Sequence, residues 1–155
     1  MEIVIREYVE TDAEALWNLF FCTVRRINIR DYSQEQVEAW APDGFDLSVW
    51  KQYMKDALPI VAQIGDVIVG YTDLQADGLI DHFFCHHEYQ KRGIGKALMN
   101  CVLNRAKQHG LKRCYSHVSI TARAFYEHFG FQVAEIKNVE IRGQHLKNFV
   151  MEKWM

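Results

Sequence analysis

The chain has 155 residues, room for one domain with a core of its own. Apolar residues make up 49% and charged ones 25%, the balance of a soluble globular protein, and a net charge of -2 argues against a nucleic-acid coat or a polybasic membrane anchor. No apolar run approaches the ~18 residues of a membrane span and no charged-then-apolar leader opens the chain, so the expected location is the cytoplasm. Four cysteines (Cys22, Cys85, Cys101, Cys114) are widely spaced in apolar settings without a C-x-x-C pair, and read as reduced, buried thiols.

In chain order, residues 2–8 alternate as a first strand around Ile3, Ile5 and Tyr8. Thr11-x-x-Glu14 reads as a capping box opening a helix through Leu16, Leu19, Phe20 and Val24, and Ser33-x-x-Gln36 as a second one before Val37 and Trp40. Pro42-Asp43-Gly44 breaks the chain, and Leu47, Trp50, Met54 and Leu58 mark a third amphipathic segment ending at Pro59. From residue 60 the period changes to that of strands. Gly65-Asp66 turns one hairpin, and Asp77-Gly78 turns another into an apolar strand over 79–85. A helix follows over 94–108 and stops at Gly110. Then come a strand over 113–118, a short helix capped by Thr121 and stopped at Gly130, and closing strands over 133–141 and 146–151. The order predicts a single α/β (α+β) layered domain with a mixed, mostly antiparallel central sheet flanked by helices.

The stretch Gln90-Lys91-Arg92-Gly93-Ile94-Gly95-Lys96 lies between the strand over 79–85 and the long helix. A strand feeding a glycine turn that becomes a helix N-terminus gathers unpaired N–H groups and the positive end of the helix dipole, which suits an anion. Read from spacing alone, the glycines serve either a phosphate or merely a tight turn. The run lacks the G-x-x-x-x-G-K-[ST] of a Walker loop, and Leu98 stands where a dinucleotide fingerprint needs glycine. Gln90-x-x-Gly93-x-Gly95 resembles motif A of the GNAT superfamily of N-acetyltransferases, and the chain resembles that fold along nearly its whole length. Tyr32-Ser33-x-x-Gln36 and the end of the chain from Gly143 resemble small bacterial members of the YafP type.

The resemblance implies that Gln90, Lys91, Arg92, Gly93, Ile94, Gly95 and Lys96 hold the pyrophosphate of acetyl-coenzyme A. It also implies that the backbone of Phe83, Phe84 and Cys85 pairs with the pantetheine arm as an added strand. Ala122-x-x-x-Tyr126-x-x-x-Gly130-Phe131 resembles the superfamily's A-x-x-x-Y-x-x-x-G-F signature, which makes Tyr126 the general acid for the departing thiolate; the alternative is an ordinary half-buried helix aromatic. Many relatives carry Asn seven residues earlier; here Ser119 takes that position, and could bond the cofactor's amide arm. Asp81 is the first candidate for the base and His82 the second; the alternative for Asp81 is a simple ion-pair partner. Two rival groupings are weaker. His82, His86 and His87 point in different directions on an alternating strand and loop, so no metal is expected, and Cys85 beside His86 reads as core rather than as a nucleophile. Arg25, Arg26 and Trp40 are candidates to line the acceptor cleft, with helix packing the alternative for Trp40. The expected reaction is acetyl transfer from acetyl-CoA to a primary amine of a small molecule, by a monomer or homodimer with no nucleic-acid or membrane partner. A protein amine as acceptor, or a silent acyl-CoA sensor, are the alternatives.

Overall fold

The computed structural model describes residues 2–155. Strand β1 (Val4–Glu7) leads through a 3-10 turn into α1 (Ala13–Arg26), followed by α2 (Gln34–Trp40) and α3 (Leu47–Ala57). The hairpin of β2 (Ile60–Ile64) and β3 (Val67–Thr72) comes next, then β4 (Leu79–Ile80), β5 (Phe83–Cys85) and α4 (Ile94–Gln108). The chain closes with β6 (Arg113–Ser119), α5 (Arg123–His128), β7 (Gln132–Ile141) and β8 (Gln144–Trp154). The strands form two four-stranded sheets, ordered β1-β2-β3-β5 and β4-β6-β8-β7. Pairing is antiparallel throughout except between β4 and β6, in line with the mixed, mostly antiparallel expectation. No helix among the described residues is long and apolar enough to cross a membrane.

Two apolar cores lie on opposite faces of β2. Ile60, Ala62 and Ile64 pack with Leu98, Met99 and Val102 of α4, while Val61 joins Leu16, Phe20, Val37 and Trp50 beneath α1–α3. The period-two alternation of a strand buried on both faces produces this division.

The apolar run over 79–85 is not one strand hairpinned back along β3. It splits after Ile80: β4 runs parallel to β6 (Leu79↔Tyr115, Ile80↔Ser116), and β5 returns to β3 (Thr72↔Phe83, Tyr71↔Phe84, Gly70↔Cys85). Asp81 and His82, at the break, have no ladder to join. Asp73 replaces it: its Oδ1 accepts the N–H groups of Asp81 (2.9 Å) and His82 (2.7 Å), and Gln75 Nε2 donates to its other oxygen. Thr72 Oγ1 donates to the His82 carbonyl at 2.7 Å. Burial pushes the Asp73 carboxyl upward, and these N–H donors oppose the shift. Gly78, at φ +95°, brings its backbone against β6, where a Cβ would collide with the Arg113 carbonyl.

Three local expectations change. Ser33 and Gln36 form the reciprocal capping box (2.8 and 3.1 Å), but Thr11 caps nothing. Asp12 governs that entry, accepting the Val9 N–H and both guanidinium N–H groups of Arg6. Leu58 leaves the apolar face of α3, adopting a left-handed cap (φ 49°) with its side chain exposed. Ser119, not Thr121, accepts the Ala122 N–H (3.1 Å) ahead of α5.

Burial alone would raise the Asp12 carboxyl, but the Arg6 pair and the Val9 N–H outweigh it and hold it below the usual carboxylate range. The stabilisation is therefore present above the unfolded value (about 4) and lost as pH falls through the lower folded value. Asp12→Asn should cost about 1 kcal/mol at pH 7. In urea unfolding, the gap to wild type should narrow steadily below pH 4; a gap independent of pH would contradict this.

Candidate active site

Because β4 and β5 belong to different sheets, β5 and β6 diverge, and a cavity of about 1170 Å³ opens along the split. It reaches from the loop before α4, past Phe83–Cys85 and residues 116–119, to the aromatic residues of α1–α3. On β5, the pairing of Phe84 with Tyr71 and the His86 N–H donated to Val69 O (2.8 Å) assign Phe84 to the ladder with β3. By alternation the backbone groups of Phe83 and Cys85 face the open edge. The Cys85 carbonyl is already taken there, by Thr23 Oγ1 (2.9 Å) from α1 and Gln90 Nε2 (3.0 Å) from the loop. An added strand would thus find Phe83 and the Cys85 N–H, and Phe84 drops out of the three backbone positions expected.

The loop suits an anion for reasons its composition only half reveals. Lys91 (φ 60°) and Gly93 (φ 82°) are left-handed and Arg92 between them is not, an alternation that turns successive N–H groups to one side as a nest. The first N–H groups of α4 have no intrahelical partner and face the same end. A Cβ on Gly93 would meet nothing within 4 Å, whereas one on Gly95 would meet the Phe125 ring at 2.9 Å. Gly95 thus serves the packing of α4 against α5, and Gly93 the turn. Gln90 spends its side-chain amide on the Cys85 and His86 carbonyls, bracing the loop. The Ile94 side chain is buried in the core, so only its backbone faces this site; Lys91, Arg92 and Lys96 stand exposed at the rim.

Tyr126 is 2% exposed between β5 and β6, its ring 5.9 Å from that of Phe83 and its hydroxyl donating to Ser116 Oγ at 3.3 Å. Burial pushes the phenol well up, so it stays protonated. Nearby, Asn28 Nδ2 reaches Ser119 Oγ at 3.5 Å, while the buried Thr121 Oγ1 and Asn148 Oδ1 line the cavity without a hydrogen-bond partner.

The opposite end of the cavity is walled by rings. Trp17 stacks on Phe45 (5.0 Å) and meets Trp50 edge-on (5.1 Å), and Phe20 contacts Trp40 and Phe84. Arg142, at the β7–β8 turn, donates to the Ala39 carbonyl at 2.7 Å with its guanidinium over Phe45. Asp81 is exposed at the break and lines the cavity; His82, one residue on, lies among the rings with Nδ1 2.8 Å from Tyr71 Oη. Trp40 lines the cavity while also packing on Phe20, Tyr32 and Phe84, but Arg25 and Arg26 do not line it. Arg25 donates to the Ala41 carbonyl and pairs with Asp43, and Arg26 Nη1 lies 3.2 Å from His87 Nε2. The sequence carried no sign that Asp73, Tyr71, Thr23 and Asn148 would shape the site, because each reads as an ordinary strand or helix position.

Contrary to the expectation that the histidines diverge, the His86 and His87 rings stack at 4.7 Å, while His82 lies apart from them. His86, His87 and Glu88 bring ligand atoms within 4.8 Å of one another, but the Arg26 guanidinium already stands at His87 Nε2, and His82 is engaged with Tyr71. Burial pushes the Cys85 thiol up to about 12, which keeps it from acting as a thiolate nucleophile at neutral pH.

The acetyltransferase (GNAT) domain family matches residues 28–154. The chain is 32% identical over 149 residues to the uncharacterized N-acetyltransferase YafP of Escherichia coli K12, covering 96% of this chain and 94% of that protein. Among solved structures, a GCN5-related N-acetyltransferase from Rhodopseudomonas palustris superimposes with a TM-score of 0.94 at 26% identity, covering 100% of this chain and 97% of that one. The PaiA N-acetyltransferase of Thermoplasma acidophilum, solved with coenzyme A, shares the fold at a TM-score of 0.75 and 22% identity, each chain covered in full (100%). The protein belongs to the GNAT family of acetyltransferases.

Proposed function

We propose that this acetyltransferase moves an acetyl group from acetyl-CoA directly to the primary amine of a small molecule. The observation that carries the reading is the single cavity joining the anion loop, the split between β5 and β6, and the ring-walled chamber, with Tyr126 at its waist. The chamber's aromatic walls, with Arg142 fastened across one side, suit the apolar body of a compact acceptor.

Acetyl-CoA supplies the acyl group as a thioester, its pyrophosphate at the loop before α4 and its pantetheine arm along the open edge of β5. The amine nitrogen forms a bond to the acyl carbon as the carbon–sulfur bond breaks; the nitrogen's proton passes to Asp81, the first choice as base, with His82 the second. Tyr126 turns its O–H from Ser116 Oγ to the sulfur as negative charge gathers there and passes its proton to the departing thiolate. Its raised pKa keeps that donor loaded at any physiological pH. The same shift makes it a weak acid, so the hydrogen bond to sulfur precedes complete proton transfer.

Isothermal titration of acetyl-CoA should show micromolar binding (about -8 kcal/mol). Gly93→Glu, whose carboxylate repels the pyrophosphate, should abolish it in a protein that remains folded. Absence of binding to wild type would reduce the loop to a turn. Acetylation of a panel of small-molecule amines, run beside peptides with free N-termini and lysines, then tests the acceptor. Preference for peptides would replace the small-molecule reading, and binding without any turnover would indicate an acyl-CoA sensor. On the best amine, Tyr126→Phe should lose about 100-fold in kcat while keeping coenzyme A affinity. Asp81→Asn should lose about 100-fold in kcat while keeping coenzyme A affinity; near-normal turnover would remove Asp81 from the chemistry.

A further inference from the structure

The contact between Tyr71 and His82 is not demanded by acetyl transfer, yet it ties a fully buried phenol to a half-buried ring of the cavity wall. Tyr71, next to the end of β3, has 0% exposure, and His82 Nδ1, 2.8 Å away, is the one hydrogen-bond partner of its hydroxyl among the described residues. The phenol does not lose its proton there, because burial, reinforced by the Asp73 charge, holds it well above its ordinary value. A buried O–H deprived of an acceptor costs about 1–3 kcal/mol. Tyr71 therefore donates and Nδ1 accepts.

A neutral imidazole has a single N–H, which this arrangement puts on Nε2. His82 is neutral at pH 7, since burial lowers its pKa against the opposing pull of Asp81 and Asp73. The ring is also held in place. Asp73 and Thr72 pin the His82 backbone on both sides of the peptide, and the rings of Phe20, Trp50, Tyr53 and Phe84 lie 5.3–5.9 Å from the imidazole centroid. Nε2 has no protein partner among the described residues, and the residue lines the aromatic chamber.

We propose that Tyr71 is a positioning residue that holds His82 as the Nε2–H tautomer, so that His82 offers the acceptor substrate a hydrogen-bond donor rather than a base. The matching acceptor is an amine with an aromatic or otherwise apolar body and a hydrogen-bond-accepting oxygen, the oxygen meeting Nε2–H and the body meeting the rings. Of the two candidate bases, this leaves Asp81. The acceptor part rests on the small-molecule reading above; the tautomer does not.

Nitrogen-15 NMR of ligand-free protein labelled in its histidine rings, at neutral pH, reads the tautomer directly. The His82 ring, identified by its absence in His82→Gln, should show a protonated Nε2 and a bare Nδ1, and Tyr71→Phe should move the Nδ1 signal. A protonated Nδ1 in wild type overturns the proposal whether or not any amine is turned over. With the amine that the panel selects, Tyr71→Phe should raise the acceptor KM about tenfold with kcat and the acetyl-CoA KM little changed. His82→Gln, which keeps an N–H donor but no basic nitrogen, should remain within about tenfold of wild-type kcat/KM while His82→Leu falls about 100-fold. Equal loss in the two His82 variants would mark His82 as a base and overturn the donor role.

Discussion

Two backbone N–H groups, those of Asp81 and His82, have no strand to pair with, and the Asp73 carboxylate takes both. The carboxylate is itself buried, and these two N–H groups give it the partners that its burial requires, so the break in the sheet and Asp73 support one another. From the break follow the separation of β4 from β5, the divergence of β5 from β6 and the cavity between them. The same anchored segment puts an exposed carboxylate and a ring-enclosed imidazole next to one another, Asp81 towards solvent and His82 among the aromatics.

Division of labour within the cavity follows from which side of β5 each group faces. Phe83 turns its ring to Phe125 and Tyr126, on the side where sulfur chemistry is proposed, while Phe84 and His82 turn theirs to Phe20 and Trp50, on the acceptor side. Strand alternation does the sorting. The thiol of Cys85 stays protonated and lies within reach of a Cβ built on Gly95, which makes it part of the seam joining β5, α4 and α5.

Much of this was legible in the sequence wherever a residue acts on its near neighbours. Ser33 and Gln36 cap one another three residues apart, Gly65-Asp66 turns a hairpin whose strands meet as Ile64↔Val67, and the glycine loop opens the long helix. Legibility failed where the partner is distant. The alternation of 79–85 is the same whether the run is one strand or two, because each half keeps its face, and nothing local to Asp73 says that it will accept bonds eight and nine residues away. Arg25 and Arg26 looked free to meet a substrate until Ala41, Asp43 and His87 proved to hold them. Gly95 was singled out correctly, but for the phosphate; its immediate neighbour is a phenyl ring.

The Cys85 carbonyl receives Thr23 from the helix that walls the acceptor chamber and Gln90 from the loop that precedes α4. A carbonyl oxygen has two lone pairs, and here both are committed, one to each half of the cavity. The two halves are thereby registered to a single atom. The loop before α4 and α1 are therefore braced through one backbone atom, and displacing either stretches a hydrogen bond to that oxygen.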